Sequence, residues 1–202
     1  MTVSTIGVAD ADTPDKYLHT NQRTISSTAR EDQYVLPGMG AYPTYVAAAQ
    51  ITSIATADAH IIQVMGDGSN YSRIVAIRVE PVSATSAGYM SFSVVRLSSA
   101  GTGGSSVTPA PFDTADTYAG GAMTLPSSKG TEGATLYRGS LRLQTAATST
   151  SAEDKWLWVP SPLSKPLIFG SATSSGVCVK NLSAQAGGIV NVYIEFITTT
   201  FL

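Results

Sequence analysis

His19, His60 and Cys178 are the side chains of this chain best suited to exchanging a proton, ligating a metal or attacking a carbon centre. The histidines stand in unlike surroundings, His19 in a polar N-terminal stretch and His60 at the start of an apolar run. A serine nucleophile needs a base held beside it, and no G-x-S-x-G turn presents one. Neither H-E-x-x-H nor the four His and Cys of a structural zinc site is present, so no metal site is expected. Paired carboxylates could serve glycoside hydrolysis. The candidates are Asp113 with Asp116 and Glu153 with Asp154, but nothing in the sequence sets either pair across a cleft, and they read as solvated turn residues. Asp10, Asp12 and Asp15 resemble the start of a calcium loop but lack its Gly at the sixth position and Glu at the twelfth. Gly66-Asp67-Gly68 reads as a hairpin turn. Gly101-Thr102-Gly103-Gly104 opens no helix and has no following Lys-Ser/Thr, so it reads as a flexible loop rather than a phosphate cradle. No catalytic residue and no cofactor are expected, and the chain reads as a non-enzyme.

Trp156 and Trp158 project from one face of a strand. On an exposed sheet they could stack on sugar rings, whereas core or subunit packing is the ordinary use of such a pair. Cys178, between Val177 and Val179, reads as a small buried strand residue.

The elements that must carry these residues are strands. Hydrophobic residues make up 43% of the 202 residues and charged ones only 13%, against about 25% in ordinary soluble domains. Serine and threonine fill much of the gap, with 18 Gly and 10 Pro to punctuate short strands. Twelve basic residues against 14 acidic ones give a net charge of −2, with no basic stripe for a nucleic-acid backbone. The opening MTVSTIGVADADTPDK lacks the basic and apolar regions of a signal peptide, and no apolar run reaches membrane-span length. Neither nucleic acid nor membrane is expected as a partner. Synthesis in a cytoplasm is expected.

Residues 1–45 are polar, of mixed charge and without a sustained period, and are expected to form an extended N-terminal arm with little helix. Residues 46–202 read as a β-sandwich domain. Val46–Ile54 is ambiguous between helix and strand. His60–Met65 is a strand, and Arg73–Val79 puts Val75, Ile77 and Val79 on one face. Tyr89–Leu97 opposes Met90, Phe92 and Val94 to Ser91 and Ser93, the alternation of a half-buried antiparallel strand. Residues 99–133 form a long Gly/Ser/Pro-rich loop of the kind that makes contacts. Further strands are expected at Ala134–Leu143, Lys155–Val159, Pro166–Phe169 and Val177–Leu182. Ile189–Ile197 carries the strongest alternation, with Val190, Val192, Ile194 and Phe196 on one face. Eight or nine strands and no fixed repeat predict an all-β, antiparallel two-sheet sandwich of jelly-roll type.

Two blocks carry a family resemblance. RIVAIRVEPVSATSAGYMSFSVVRLSSAGTGGSSVTPAPFDTAD (73–116) and KWLWVPSPLSKPLIFGSATSSGVCVKNLSAQAGGIVNVYIEFI (155–197) resemble small jelly-roll virion proteins of tailed bacteriophages. The likeness lies in an R-x-V-x-I-x-V strand, a G-T-G-G turn, a T-P-x-P-x-D segment and a closing pair of V-x-V strands. It implies a capsid cement, or decoration, protein on the outer capsid surface. Its partners would be the major capsid protein and further copies of itself, as a homotrimer. Tyr17, Tyr34 and Met39 in the arm, with Phe112 and Tyr118 in the long loop, are then the candidate assembly contacts. The alternative is a carbohydrate- or receptor-binding tail or fibre module using Trp156 and Trp158.

Overall fold

A computed structural model describes residues 3–10, 13–25, 28–33, 42–143, 145, 155–161, 165–184 and 187–199. All regular structure among them is β, without a helix. The chain divides into two compact units, Met1–Ala41 and Tyr42–Leu202.

In the first unit three strands, β1 (Val3–Asp10), β2 (Thr13–Ile25) and β3 (Thr28–Gln33), pair antiparallel in chain order. Thr5 lies opposite His19, and Thr20 opposite Gln33. Within the expected arm, therefore, the strands pair with one another. Val, Ile, Thr and Tyr supply the β propensity. Polar residues stand at both odd and even positions of these strands, so sequence reading finds no alternation there.

The second unit has two antiparallel sheets. One comprises β12 (Trp156–Trp158), β6 (Tyr71–Ser83), β15 (Ile189–Thr199), β4 (Thr44–Ile51) and β9 (Ala110–Pro111), in that spatial order. A two-residue strand, β13 (Ile168–Phe169), shares the β12 side of β6, pairing at Ser72 and Arg73. The other sheet runs β11 (Glu132–Leu143), β7 (Gly88–Leu97), β14 (Gly176–Asn181), β5 (His60–Met65), β10 (Ala122–Thr124), β8 (Ser105–Val107).

Alternation builds the core between them. On β15, Val190, Val192, Ile194 and Phe196 are fully buried, and Met90, Phe92 and Val94 of β7 face them from the other sheet. The segment that could have been helix or strand is β4, held by a continuous ladder to β15 from Thr44–Ile197 to Ile51–Val190. On β6 the expected inward face needs one correction. Glu195 lies opposite Ala76 and Phe196 opposite Ile74, so Val75 is an extra residue. This bulge shifts the phase and buries Ile74, rather than Val75, alongside Ile77 and Val79.

The 99–133 segment is built into the sandwich. Its short strands β8 and β10 extend one sheet beyond β5, and β9 extends the other beyond β4. Its residues also hydrogen-bond to Gln63 and Met65 of β5. Gln63 Oε1 accepts a 3.1 Å hydrogen bond from the Gly101 amide, and Met65, Val95, Leu97 and Cys178 form a second, smaller apolar cluster. Every residue of β5 is buried. The opposite edge is closed by aromatic rings. Trp156 meets Phe92 edge-on at 4.8 Å, and Trp158 packs on Tyr137 at 4.8 Å. Gly139 of β11 makes room for this, since a Cβ there would stand 2.8 Å from both Phe92 Cζ and Trp156 Nε1.

Candidate functional site

The residues singled out from sequence scatter over the molecule. Trp156 and Trp158 are half-buried and pack against the main core from its β11–β12 edge. Tyr118 turns inward, its ring 5.2 Å from Tyr45 and 4.9 Å from Phe196, and its hydroxyl donates to Met65 O at 2.5 Å. Burial pushes its phenol up to about 12. Phe112 stands 64% exposed beyond β9, with its amide bonded to Thr44 O. Tyr17 lies in β2 opposite Gly7. Tyr34 and Met39 lie outside the described residues, as do Asp12, Glu153 and Asp154.

The acidic candidates serve turns. Asp67 accepts from the Ser69 and Asn70 amides at 2.8 and 2.6 Å, and Asp113 from the Ala115 amide at 3.0 Å. Cys178 is fully buried, and burial drives its thiol well above its ordinary range, which makes it inert as a nucleophile. Among the described residues no group of three His, Cys, Asp or Glu could hold a metal ion, and no helix is long and apolar enough to cross a membrane.

His60 belongs to a charge cluster that sequence spacing did not reveal, because its members come from three separate segments, around residues 58–60, 129–132 and 180. Its Nε2 donates to Glu132 Oε1 at 3.1 Å. Glu132 Oε2 accepts from Lys180 Nζ at 2.8 Å, and Asp58 bridges Lys129 and Lys180. The His60 side chain is entirely buried, and burial lowers its pKa from the ordinary 6.5 despite the neighbouring carboxylate. Burial would raise Glu132, but its bonds to Lys180 and His60 outweigh that and hold it below the ordinary 4.5. Lys129, then Lys180, holds Asp58 at about 2.

All three shifts are downward, so the cluster contributes stability at neutral pH that is lost on acidification. An unfolded chain takes up the His60 proton near 6.5, whereas the folded chain resists it. Stability should therefore begin to fall as the pH drops through about 6.5, and fall further below about 4.5 as Glu132 and Asp58 protonate. Thermal melts followed from about pH 8 to about pH 3 should show both stages, and His60→Gln should remove the upper one. A melting temperature unchanged down to about pH 5 would contradict the buried neutral histidine.

A second candidate lies elsewhere in the Tyr42–Leu202 unit. A groove of about 700 Å³ opens where β6, β13 and the end of β15 meet. Tyr71 and Arg73 of β6 pair with Thr199 and Ile197 of β15 along its floor. Ile168 and Pro166 form an apolar wall. Arg96, from β7 of the other sheet, donates through Nη1 to Ile168 O at 2.6 Å, and Lys165 and Tyr42 stand at the rim. The charged side chains that line it, Arg73, Arg96 and Lys165, are all cations. Sequence reading missed this site because β13 is two residues long and the three cations belong to no shared motif.

No protein-family model, no curated protein and no solved structure matches the chain.

Proposed function

We propose that this chain is a non-enzymatic virion structural protein, a capsid cement protein whose sandwich is a jelly roll seated on the outer surface of a tailed-phage head. The observation that carries this reading is the strand order. β4, β15, β6 and β12 are neighbours in one sheet, and β5, β14, β7 and β11 in the other. Numbered along the chain, those eight strands give the orders 1-8-3-6 and 2-7-4-5, which supports a reading as the double Greek key of jelly rolls, an architecture that viral capsid and lectin domains use. A second support is the polar N-terminal unit, whose three strands pair with one another and which is suited to engaging a neighbouring subunit. A third is that the residues most able to do chemistry are spent on structure, His60 in an ion cluster and Cys178 in a buried apolar one.

The mechanism is thermodynamic. A protein that binds the assembled shell but not its separated subunits stabilises the shell by mass action, and several copies joined as a homo-oligomer add avidity. Stoichiometry in purified particles tests the reading. Quantitative mass spectrometry should count this chain in hundreds of copies per particle, on the scale of the major capsid protein. A handful of copies would place it on a tail or fibre and overturn the cement reading.

A further inference from the structure

The basic groove has a composition that shell binding alone does not call for. Three cations converge on one cleft of a chain whose net charge is −2. Among the described lining residues no carboxylate offsets them. Gathering like charges in a cleft costs repulsion and focuses a positive potential there, an arrangement that favours an anionic ligand. Arg96 is half-buried and steadied by its bond to Ile168 O, which spends one of its five N–H donors. A steadied guanidinium suits the planar, two-pronged recognition of a carboxylate.

The rest of the lining narrows the ligand. Tyr42, 52% exposed, and Tyr71 bring aromatic rings, while Pro166, Ile168 and Ile197 bring apolar surface. Aromatic and apolar faces flanking charged donors suit a ring whose C–H face is apolar and whose edge carries polar groups. The floor offers an incoming peptide no free ladder, because β6 is already paired by β15 on one side and by β13 on the other. A cleft of about 700 Å³ is also within the size range of small-molecule sites.

We infer that this groove binds a carboxylate-bearing saccharide of the uronic or sialic acid class, with Arg73, Arg96 and Lys165 engaging the carboxylate and Tyr42 and Tyr71 the ring. This goes beyond the cement reading and stands or falls separately from it.

The test is calorimetric titration of the full chain with tri-galacturonate, maltotriose and hexa-aspartate. Tri-galacturonate should bind saturably, and at least about tenfold more tightly than either of the others. The double variant Arg73→Gln/Lys165→Gln, at two exposed positions, should weaken it by about tenfold or more. Arg138→Gln/Arg142→Gln, an equal charge change on exposed positions of β11, should leave it unchanged. Tyr42→Ala should weaken tri-galacturonate several-fold. No saturable binding, equal loss in the two double variants, or no loss with Tyr42→Ala would each overturn the assignment. Binding of hexa-aspartate as tight as that of tri-galacturonate would do so too, marking an acidic-peptide site instead.

Discussion

Phe196→Ala should destabilise the sandwich by about 3–5 kcal/mol, and Phe92→Ala by a similar amount. Both rings are fully buried, one toward each end of the core. Phe196 stacks on Tyr45 of β4 at 5.6 Å, meets Tyr118 edge-on and reaches Phe169 of β13 at 6.4 Å. It therefore joins β15, β4, β13 and the 99–133 segment at a single point. Truncation loses the transfer free energy of the ring and leaves a cavity that surrounding aromatics, each fixed by its own strand, cannot collapse to fill. Phe92 plays the same part at the other edge, wedged over Gly139 against Trp156. In a domain of this size each loss corresponds to a fall in melting temperature on the order of 10 °C. A shift of only a degree or so in both variants would show that these rings are not the keystones of the two edges.

Those two phenylalanines were legible in the sequence because their strands have one wet and one dry face. Such strands announce themselves by alternation, as β15 does along its whole length and the sequence of β7 does from Tyr89 to Val94. Where both faces are covered the signal disappears. His60–Met65 could be read as a strand, yet nothing in it foretold that all of its residues would be buried or that Gln63 would bond to Gly101 of the 99–133 segment. A single extra residue was equally invisible, and the bulge at Val75 exchanged it for Ile74 on the inward face. Strands of two or three residues in Gly/Ser/Pro-rich sequence, β8, β9, β10 and β13, lie below the length at which any period can be seen. The candidate site suffered most from this. Arg73, Arg96 and Lys165 converge only because β13 sits on β6 and Arg96 reaches its carbonyl from the other sheet. That proximity is tertiary, with no local spacing to betray it.

The second large effect concerns the N-terminal unit. Removing residues 1–41 should leave the sandwich folded, with a melting temperature close to that of the full chain. The core residues between the two sheets, from Tyr45 to Phe196, all lie within the second unit. On the cement reading, the same deletion should reduce affinity for capsid shells on the order of a hundredfold or more, because each copy loses one of two linked attachments and with it the effective concentration that linkage provides. Stability and binding should thus separate cleanly: core truncations lower both, and the deletion lowers binding alone.

Co-sedimentation of the full chain and the 42–202 fragment with capsid shells stripped of this protein tests the central claim most directly. The full chain should pellet with the shells in a saturable manner and raise their resistance to heat, while the folded fragment stays largely in the supernatant. Failure of the full chain to bind shells at any concentration tried would contradict the account of this protein as capsid cement.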